Sequence, residues 1–450
     1  MNQKKNLALV ALLAIHLVAN ASTITFKAKN AGDNSRSALM FPSSPQPQPL
    51  AFNAEGQAQY EFNESSPQYV KFYFGKSRTP KLLYLDSTKD LTVSFDAQAM
   101  DSTIQFIGST SQINAYLNGG ELKSLSYKDC NIPEADFMKK TDDVYNSNCA
   151  VLAKYRLDPS FVKLETARLK YSTYEALLNF PRAYQYMTKD AAYQPSQAFY
   201  DKVKSLYVED AALLTLPEYQ SFLQSYIYAV MPTPTADNAD NFTVSMLEYI
   251  DAQIKDSAIK EFLVYNLVKE TISYNGLENS DKLLEIFHKN VTAPSKVDDI
   301  KALCAKWEPL KPGNLSPSFT CQDINGKTVS LADLKGKFIY IDVWATWCGP
   351  CRGELPHLKK LEKEYGEKDI CFVSISCDKN KKAWETMVAK EELKGVQLIF
   401  GEDDSFSKQY MITGIPRFIL LDREGKILKA NAPRPSSPAT AKLFDELLTK

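Results

Sequence analysis

The sequence predicts a multidomain protein with a small N-terminal β-domain, a central α-helical region and a C-terminal α/β domain. Three observations carry that prediction. Residues 22 to 111 alternate apolar and polar positions between Gly, Pro, Asn and Ser punctuation. From about Ser111 apolar residues recur three and four apart, the spacing of amphipathic helices. Phe338 to Trp344 is apolar apart from Asp342 and runs straight into a helical pattern, as a central parallel strand covered on both faces would. A length of 450 residues suits about three globular units, and 44% hydrophobic content is enough to give each a core. The net charge of -1 supplies no field that could hold a nucleic acid, so none is expected as a partner.

Residues 1–21 read as an export signal. Lys4 and Lys5 precede the apolar run Leu7 to Ala19, and Ala19-Asn20-Ala21 is a small-residue cleavage site. That run is interrupted by His16 and falls short of the roughly 20 residues a bilayer span needs. Cleavage near Ala21 would therefore leave no stable membrane anchor and start the mature chain at Ser22. Lipid attachment is disfavoured, since the first cysteine is Cys130. A periplasmic location follows, where thiols can be oxidised.

The β-domain is expected over 22–111, with strands such as Tyr69 to Phe74 and Leu91 to Phe95. Phe41 to Pro49 holds four prolines and is expected as a surface loop between two edges. The helical domain is expected over 112–306, with helices at Phe161 to Phe180, Gln197 to Leu206 and Asp281 to Phe287, and breaks at Pro181, Pro217 and residues 231–240. Its many tyrosines, from Tyr116 to Tyr274, have two readings: packing with the ring inside and the hydroxyl at the edge, or a client-docking surface. Cys130 with Cys149, and Cys304 with Cys321 across the last boundary, are candidate disulfide pairs on compartment grounds alone. No nucleotide, phosphate or metal motif precedes residue 310, and no cofactor is expected.

The last domain is expected over 307–450, after the break Lys311-Pro312-Gly313. A hairpin is expected from Ser318 to Cys321 and Asp323 to Gly326, then a short helix Leu331 to Leu334 and the buried strand Phe338 to Trp344. A helix follows through Leu355, Leu358 and Leu361. Strands Ile370 to Ser376, Val396 to Phe400, Arg417 to Leu421 and Ile427 to Ala430 alternate with helices from Ala383, near Phe406 to Tyr410 and at Ala439 to Leu448. Together they describe an α/β sandwich around a mixed sheet.

The pair Cys348 and Cys351 stands where the buried strand gives way to the helix. A cysteine at a helix N-terminus meets unpaired backbone N–H groups and the positive end of the helix dipole, which stabilise a thiolate. Cys348 is thus the expected nucleophile. Cys351, one turn on, faces inward and can resolve the mixed disulfide. Pro350 fits the first turn, where a missing N–H is harmless. A structural zinc site would need two more ligands, and neither Cys371 and Cys377 nor His357 completes a set. An inert disulfide is rejected because so short a loop is a poor entropic staple.

Trp347-Cys-Gly-Pro-Cys351, with Asp342 six residues before the first cysteine, Pro356 five after the second and Ile415-Pro416 late in the domain, resembles thioredoxin. Glu354, the lead-in from Leu315 to Gly336 and the export signal narrow this to a resemblance with exported TlpA/ResA-like thiol-disulfide oxidoreductases, especially the multidomain forms of Bacteroidetes. The resemblance is specific over 313–450 and architectural before that. It implies a C-terminal α/β thioredoxin fold and exchange with client proteins that carry disulfides, the electrons coming from a thiol donor. Asp342 would assist proton transfer at the inner cysteine, and Glu354 would shape thiol acidity. Trp347, Ile415 and Pro416 would face the client, with Pro416 after a cis peptide. For Glu354 a solvated position on the first helical turn is the competing reading. The Pro-x-x-x-Thr-x-x pattern of peroxiredoxins is absent, since Ile341 and Ala345 hold those two places.

Of the remaining residues, Cys371 reads as a buried strand residue, Cys377 as a packed or auxiliary thiol, His288 and His357 as surface helix residues, and Lys379 to Lys382 as a solvated helix start. The Gly-Pro dipeptide matches reducing thioredoxin and favours reduction of clients. The rival reading is an exported partner-binding protein whose C-terminal module serves for docking.

Overall fold

A computed structural model describes residues 22–42, 44, 46–77, 79–231, 242–401 and 404–449. The expected export signal and the expected break at 232–240 lie outside them. The chain divides into two compact units at Val230/Met231. The helical segment is therefore shared between the units.

In the first unit, β1 (Ser22–Lys29), β4 (Gln57–Phe62), β7 (Leu91–Asp96) and β8 (Gln105–Ile107) form one sheet in the order β4-β1-β7-β8. A second sheet has β2 (Ala38–Met40), β3 (Gln48–Pro49), β5 (Gln68–Tyr73) and β6 (Lys81–Leu85) in the order β3-β2-β5-β6. Both sheets contribute to one core, where Ile24, Phe26, Leu39, Phe72, Leu83 and Val93 are inaccessible, and β7 buries alternate residues throughout. The proline-rich stretch contributes β3 at a sheet edge, where the missing N–H of Pro49 costs no ladder bond. Helices α1 (Met100–Thr103), α2 (Ser111–Asn118), α3 (Glu134–Ala153), α4 (Pro159–Thr188), α5 (Gln197–Leu206) and α6 (Pro217–Val230) complete the unit.

The expected break at Pro181 is corrected, because α4 runs unbroken from Pro159 to Thr188. Proline inside a helix forfeits one hydrogen bond and costs about 3 kcal/mol. Here Leu177, Leu178, Phe180 and Ala183 around it are all buried, and their packing outweighs that cost. Tyr116, Tyr171, Tyr174, Tyr219 and Tyr226 are buried, as the packing reading expects, whereas Tyr127, Tyr186 and Tyr228 are exposed. Cys130, Cys149 and Cys304 carry thiols, so neither candidate disulfide is formed.

In the second unit, helices α7 (Phe242–Gln253), α8 (Ser257–Asn275), α9 (Asp281–Asn290) and α10 (Pro294–Trp307) precede a seven-stranded mixed sheet. Its strands are β9 (Thr320–Asp323), β10 (Thr328–Ser330), β11 (Phe338–Trp344), β12 (Ile370–Ser376), β13 (Val396–Ile399), β14 (Arg417–Leu421) and β15 (Ile427–Lys429), ordered β10-β9-β13-β12-β11-β14-β15. The hairpin is shifted from its expected place: Ile324 to Gly326 form the turn, with the Asp323 carboxylate accepting from the N–H groups of Asn325 and Lys327, and the second strand begins only at Thr328.

Strand β11 runs parallel to β12 and antiparallel to β14, and all seven of its residues are buried. Helix α11 (Gly349–Tyr365) follows it; α12 (Lys381–Lys390), α13 (Ser405–Gln409) and α14 (Pro438–Leu448) come later. Tyr340, Phe372, Phe418 and Leu420 on one sheet face pack against Leu358 and Leu361 of α11 and Phe444 of α14. Each such fully buried side chain contributes roughly 1.5–3 kcal/mol, which holds the start of α11 at the end of β11. The architecture is a β-domain, a helical region and a C-terminal thioredoxin-like α/β domain.

Candidate active site

Cys348 is the N-cap of α11, and Cys351 lies in its first turn. The two are joined by a disulfide with a Cα–Cα distance of 5.3 Å. The Cys351 N–H donates to Cys348 Sγ over 3.1 Å, the place a capping oxygen usually fills. That bond and the helix dipole would stabilise negative charge on this sulfur once the disulfide opens. Cys348 is only 5% exposed, less than a freely accessible nucleophile would be, whereas its neighbour Trp347 is 69% exposed. Ile415 O lies 3.7 Å from Cys348 Sγ, and the Ile415–Pro416 peptide is cis, as expected. Half-buried Ile415 and exposed Trp347 thus border the sulfur, while Pro416 is buried behind.

Three carboxyl groups on β11 and α11 lie close enough to act on one another, Asp342 feeling the charge of Glu354 and Glu362. Asp342 is buried on β11, with no hydrogen-bond partner for Oδ1 among the described residues. Burial pushes its pKa up to about 8, and repulsion from Glu354 and then Glu362 adds to the shift. Glu354 is not a solvated first-turn residue. It is buried, and its two oxygens accept from the backbone N–H and hydroxyl of Ser436, both at 2.9 Å. Glu362 was not expected from the sequence. Burial lifts it to about 7, opposed by the nearby Lys359 and Lys394. Its signal was present, since it follows Leu358 by one helical turn on the apolar stripe of α11.

A fourth carboxylate, also missed, organises the turn before Trp347. Asp378 is buried and accepts from the Thr346 N–H and hydroxyl, each at 2.8 Å, and from the Ser376 hydroxyl at 2.7 Å. Nearby, Cys377 donates its S–H to Trp344 O over 3.2 Å and packs against the cluster that contains Trp344, Cys348 and Cys351. Burial and then Asp378 raise the pKa of that thiol. Cys371 is half-buried; His288 and His357 are exposed. Among the described residues no group of three or more His, Cys, Asp or Glu could hold a metal ion. A dithiol at a helix N-cap, an exposed aromatic neighbour and a protonatable carboxyl on the preceding strand are parts that exchange of thiols and disulfides uses.

The family model described as Redoxin matches residues 311–447. The thiol-disulfide oxidoreductase ResA of Bacillus cereus is 30% identical over 125 residues, which are 28% of this chain and 72% of that protein. The thioredoxin-like protein YneN of Bacillus subtilis is 32% identical over 121 residues, 26% of this chain and 69% of that one. A solution structure of a thiol-disulfide oxidoreductase from Bacteroides vulgatus shares 70% identity, covering 31% of this chain and 93% of that one with a TM-score of 0.29. With the identity to ResA reaching across most of that relative, and a dithiol cap at the end of the buried central strand, the chain belongs to the TlpA/ResA-like thiol-disulfide oxidoreductases with a C-terminal thioredoxin domain.

Proposed function

We propose that the protein is exported to the periplasm and there reduces disulfides in client proteins through Cys348 and Cys351. The observation that carries this reading is the Cys348 sulfur at the N-terminus of α11, accepting from the Cys351 N–H. In the reduced enzyme the Cys348 thiolate attacks one sulfur of a client disulfide, and the other client sulfur leaves as a thiolate that takes up a proton. Cys351 then loses its proton and attacks Cys348 Sγ. The client leaves with both sulfurs reduced, the Cys348–Cys351 disulfide re-forms, and two electrons have passed to the client. A thiol donor returns the enzyme to the dithiol by the same exchange run in reverse.

Asp342 is the group suited to accept the Cys351 proton, since a carboxyl with a pKa of about 8 exchanges protons near neutrality. Glu354 tunes it by charge. Trp347 and the Ile415 backbone offer the client an aromatic rim and a carbonyl beside the reacting sulfur. Export is supported by Lys4, Lys5 and the apolar run to Ala19 ahead of Ala21. Among the described residues no helix is long and apolar enough to cross a membrane.

The test is trapping. Cys351→Ser should accumulate clients as mixed disulfides on Cys348, and Cys348→Ser should trap none. Equal trapping by both variants would reverse or abolish the assignment. Recovery of the Cys348–Cys351 pair mainly as the disulfide in cells, with client thiols becoming oxidised, would reverse the direction.

A further inference from the structure

Arg417 is the first residue of β14 and directly follows Pro416. It is 0% exposed, and Nε and both terminal nitrogens of its guanidinium have no hydrogen-bond partner among the described residues. A buried cation without a counter-charge is costly, and an apolar residue of similar length would avoid that cost. What the guanidinium does meet is the face of Tyr274, its carbon 4.9 Å from the ring centroid. Tyr274 belongs to the last turn of α8, outside the thioredoxin-like domain in sequence but inside the same compact unit.

The same end of α8 makes three further contacts. Arg434 donates to the Tyr274 hydroxyl at 3.5 Å, and Asn431 donates to Asn275 Oδ1 at 3.0 Å. Lys429 pairs with Glu278 just beyond the helix. The loop that carries Asn431 and Arg434 leads on to Ser436, which holds Glu354, and its Pro433 O accepts from the Tyr340 hydroxyl. The end of α8 therefore touches both segments that frame the site: the residue after the Ile415–Pro416 turn and the loop behind Glu354.

We propose that Tyr274 is a positioning residue for the client-facing turn, acting through Arg417, so that the helical segment completes the redox site from behind. The mechanism is stiffness. A desolvated guanidinium gains most from an aromatic face, and among the described residues the Tyr274 ring is the one such face it meets. If the ring is withdrawn, Arg417 must rotate or admit water. It is fixed to β11 through its pairing with Val343, so the displacement falls on Pro416 and on the Ile415 carbonyl beside Cys348. An element remote in sequence thereby sets how a client meets the sulfur.

This inference rests on the reading of Ile415 and Pro416 as client-facing, and the experiment separates the two. In the full-length Cys351→Ser protein, two rates are measured: capture of a disulfide-bonded peptide on Cys348, and alkylation of Cys348 by iodoacetamide, which needs no extended partner. Tyr274→Leu fills the space without a π-face and should lower the ratio of capture to alkylation about tenfold. Tyr274→Phe keeps the face and should restore the ratio to within about twofold of the parent. In an Arg417→Met background, with no cation to hold, Tyr274→Leu should have little further effect, because the two residues act as one unit. A ratio unchanged in Tyr274→Leu, an equal fall in Tyr274→Phe, or independent effects of the two substitutions would each overturn the proposal. Failure of the parent to capture peptide at all would instead overturn the client-reduction reading beneath it.

Discussion

Asp342 places an ionisable group in the middle of an apolar strand, and its raised pKa is as much a statement about stability as about chemistry. Between its ordinary value of 3.8 and the folded value of about 8, the folded protein keeps a proton that the unfolded chain has released. The folded state then binds more protons than the unfolded one, so stability falls as pH rises through that window. Asp342→Asn has no charge to bury. It should match the parent near pH 4 and become more stable by a few kcal/mol above pH 8, as read from urea unfolding at each pH. A stability gap that stays constant from pH 4 to 9 would show that Asp342 is not the buried acid described here. In turnover the same variant should lose the step that depends on Cys351 losing its proton, slowing release of the client more than its capture. At this scale the sequence was informative wherever spacing is local. The cysteine pair, Asp342 and Glu354 stand at short offsets in one stretch of chain, whereas Pro416 came only through the resemblance to thioredoxin. Ser436, Asp378 and Arg417 were not legible, because their importance lies in partners 82, 32 and about 140 positions away.

Among the elements, the turn between β11 and α11 shows why a short motif needs a rigid mount. Thr346 and Trp347 separate the last buried residues of the strand from the capping cysteine, and Asp378 at the end of β12 fixes Thr346 by two hydrogen bonds. The parallel pairing of β11 with β12 brings these two strand ends level, since Trp344 stands opposite Ser376. Asp378→Ala would leave the Thr346 N–H without its partner. The expected cost is about 2–4 kcal/mol of stability, with slower reaction of a small disulfide at Cys348 as Trp347 and the cap lose their fixed geometry. Chemical denaturation and single-turnover kinetics on the same protein check both parts, and a stable variant with unaltered kinetics would refute the mounting role. Element type and order were largely readable here, because the period of the apolar pattern switches cleanly between strand and helix. The shifted β9–β10 hairpin and the unbroken α4 were misread for physical reasons. An Asp323 side chain that closes a turn looks like strand sequence, and buried neighbours carry a helix through Pro181.

For the whole molecule, the simplest division of labour gives the chemistry to the C-terminal module alone and client selection to the upstream segments. The groups proposed to react all lie between Asp342 and Pro416 in the sequence, in keeping with that division. The docking of α8 qualifies it. Tyr274, Asn275 and Glu278 meet Arg417, Asn431 and Lys429, and no periodicity or motif in either segment announces such contacts. Three forms of the protein should therefore behave differently: the mature chain from Ser22, a fragment 231–450 that keeps α7 to α10, and a fragment 307–450 that lacks them. About 140 residues are enough for a core, so the shortest form should fold. On a small disulfide, which needs little of the Ile415 turn, all three should turn over at similar rates. On a disulfide peptide, 231–450 should match the mature chain, whereas 307–450 should fall by about tenfold for want of the Tyr274 face. On native clients trapped by Cys351→Ser, both fragments should lose turnover relative to the mature chain. Docking sites carried by residues 22–230 would raise the local client concentration near Cys348 without altering its chemistry. Equal peptide rates for the two fragments would confine α8 to a structural role, and native-client rates equal to the mature chain would remove client selection from the first unit.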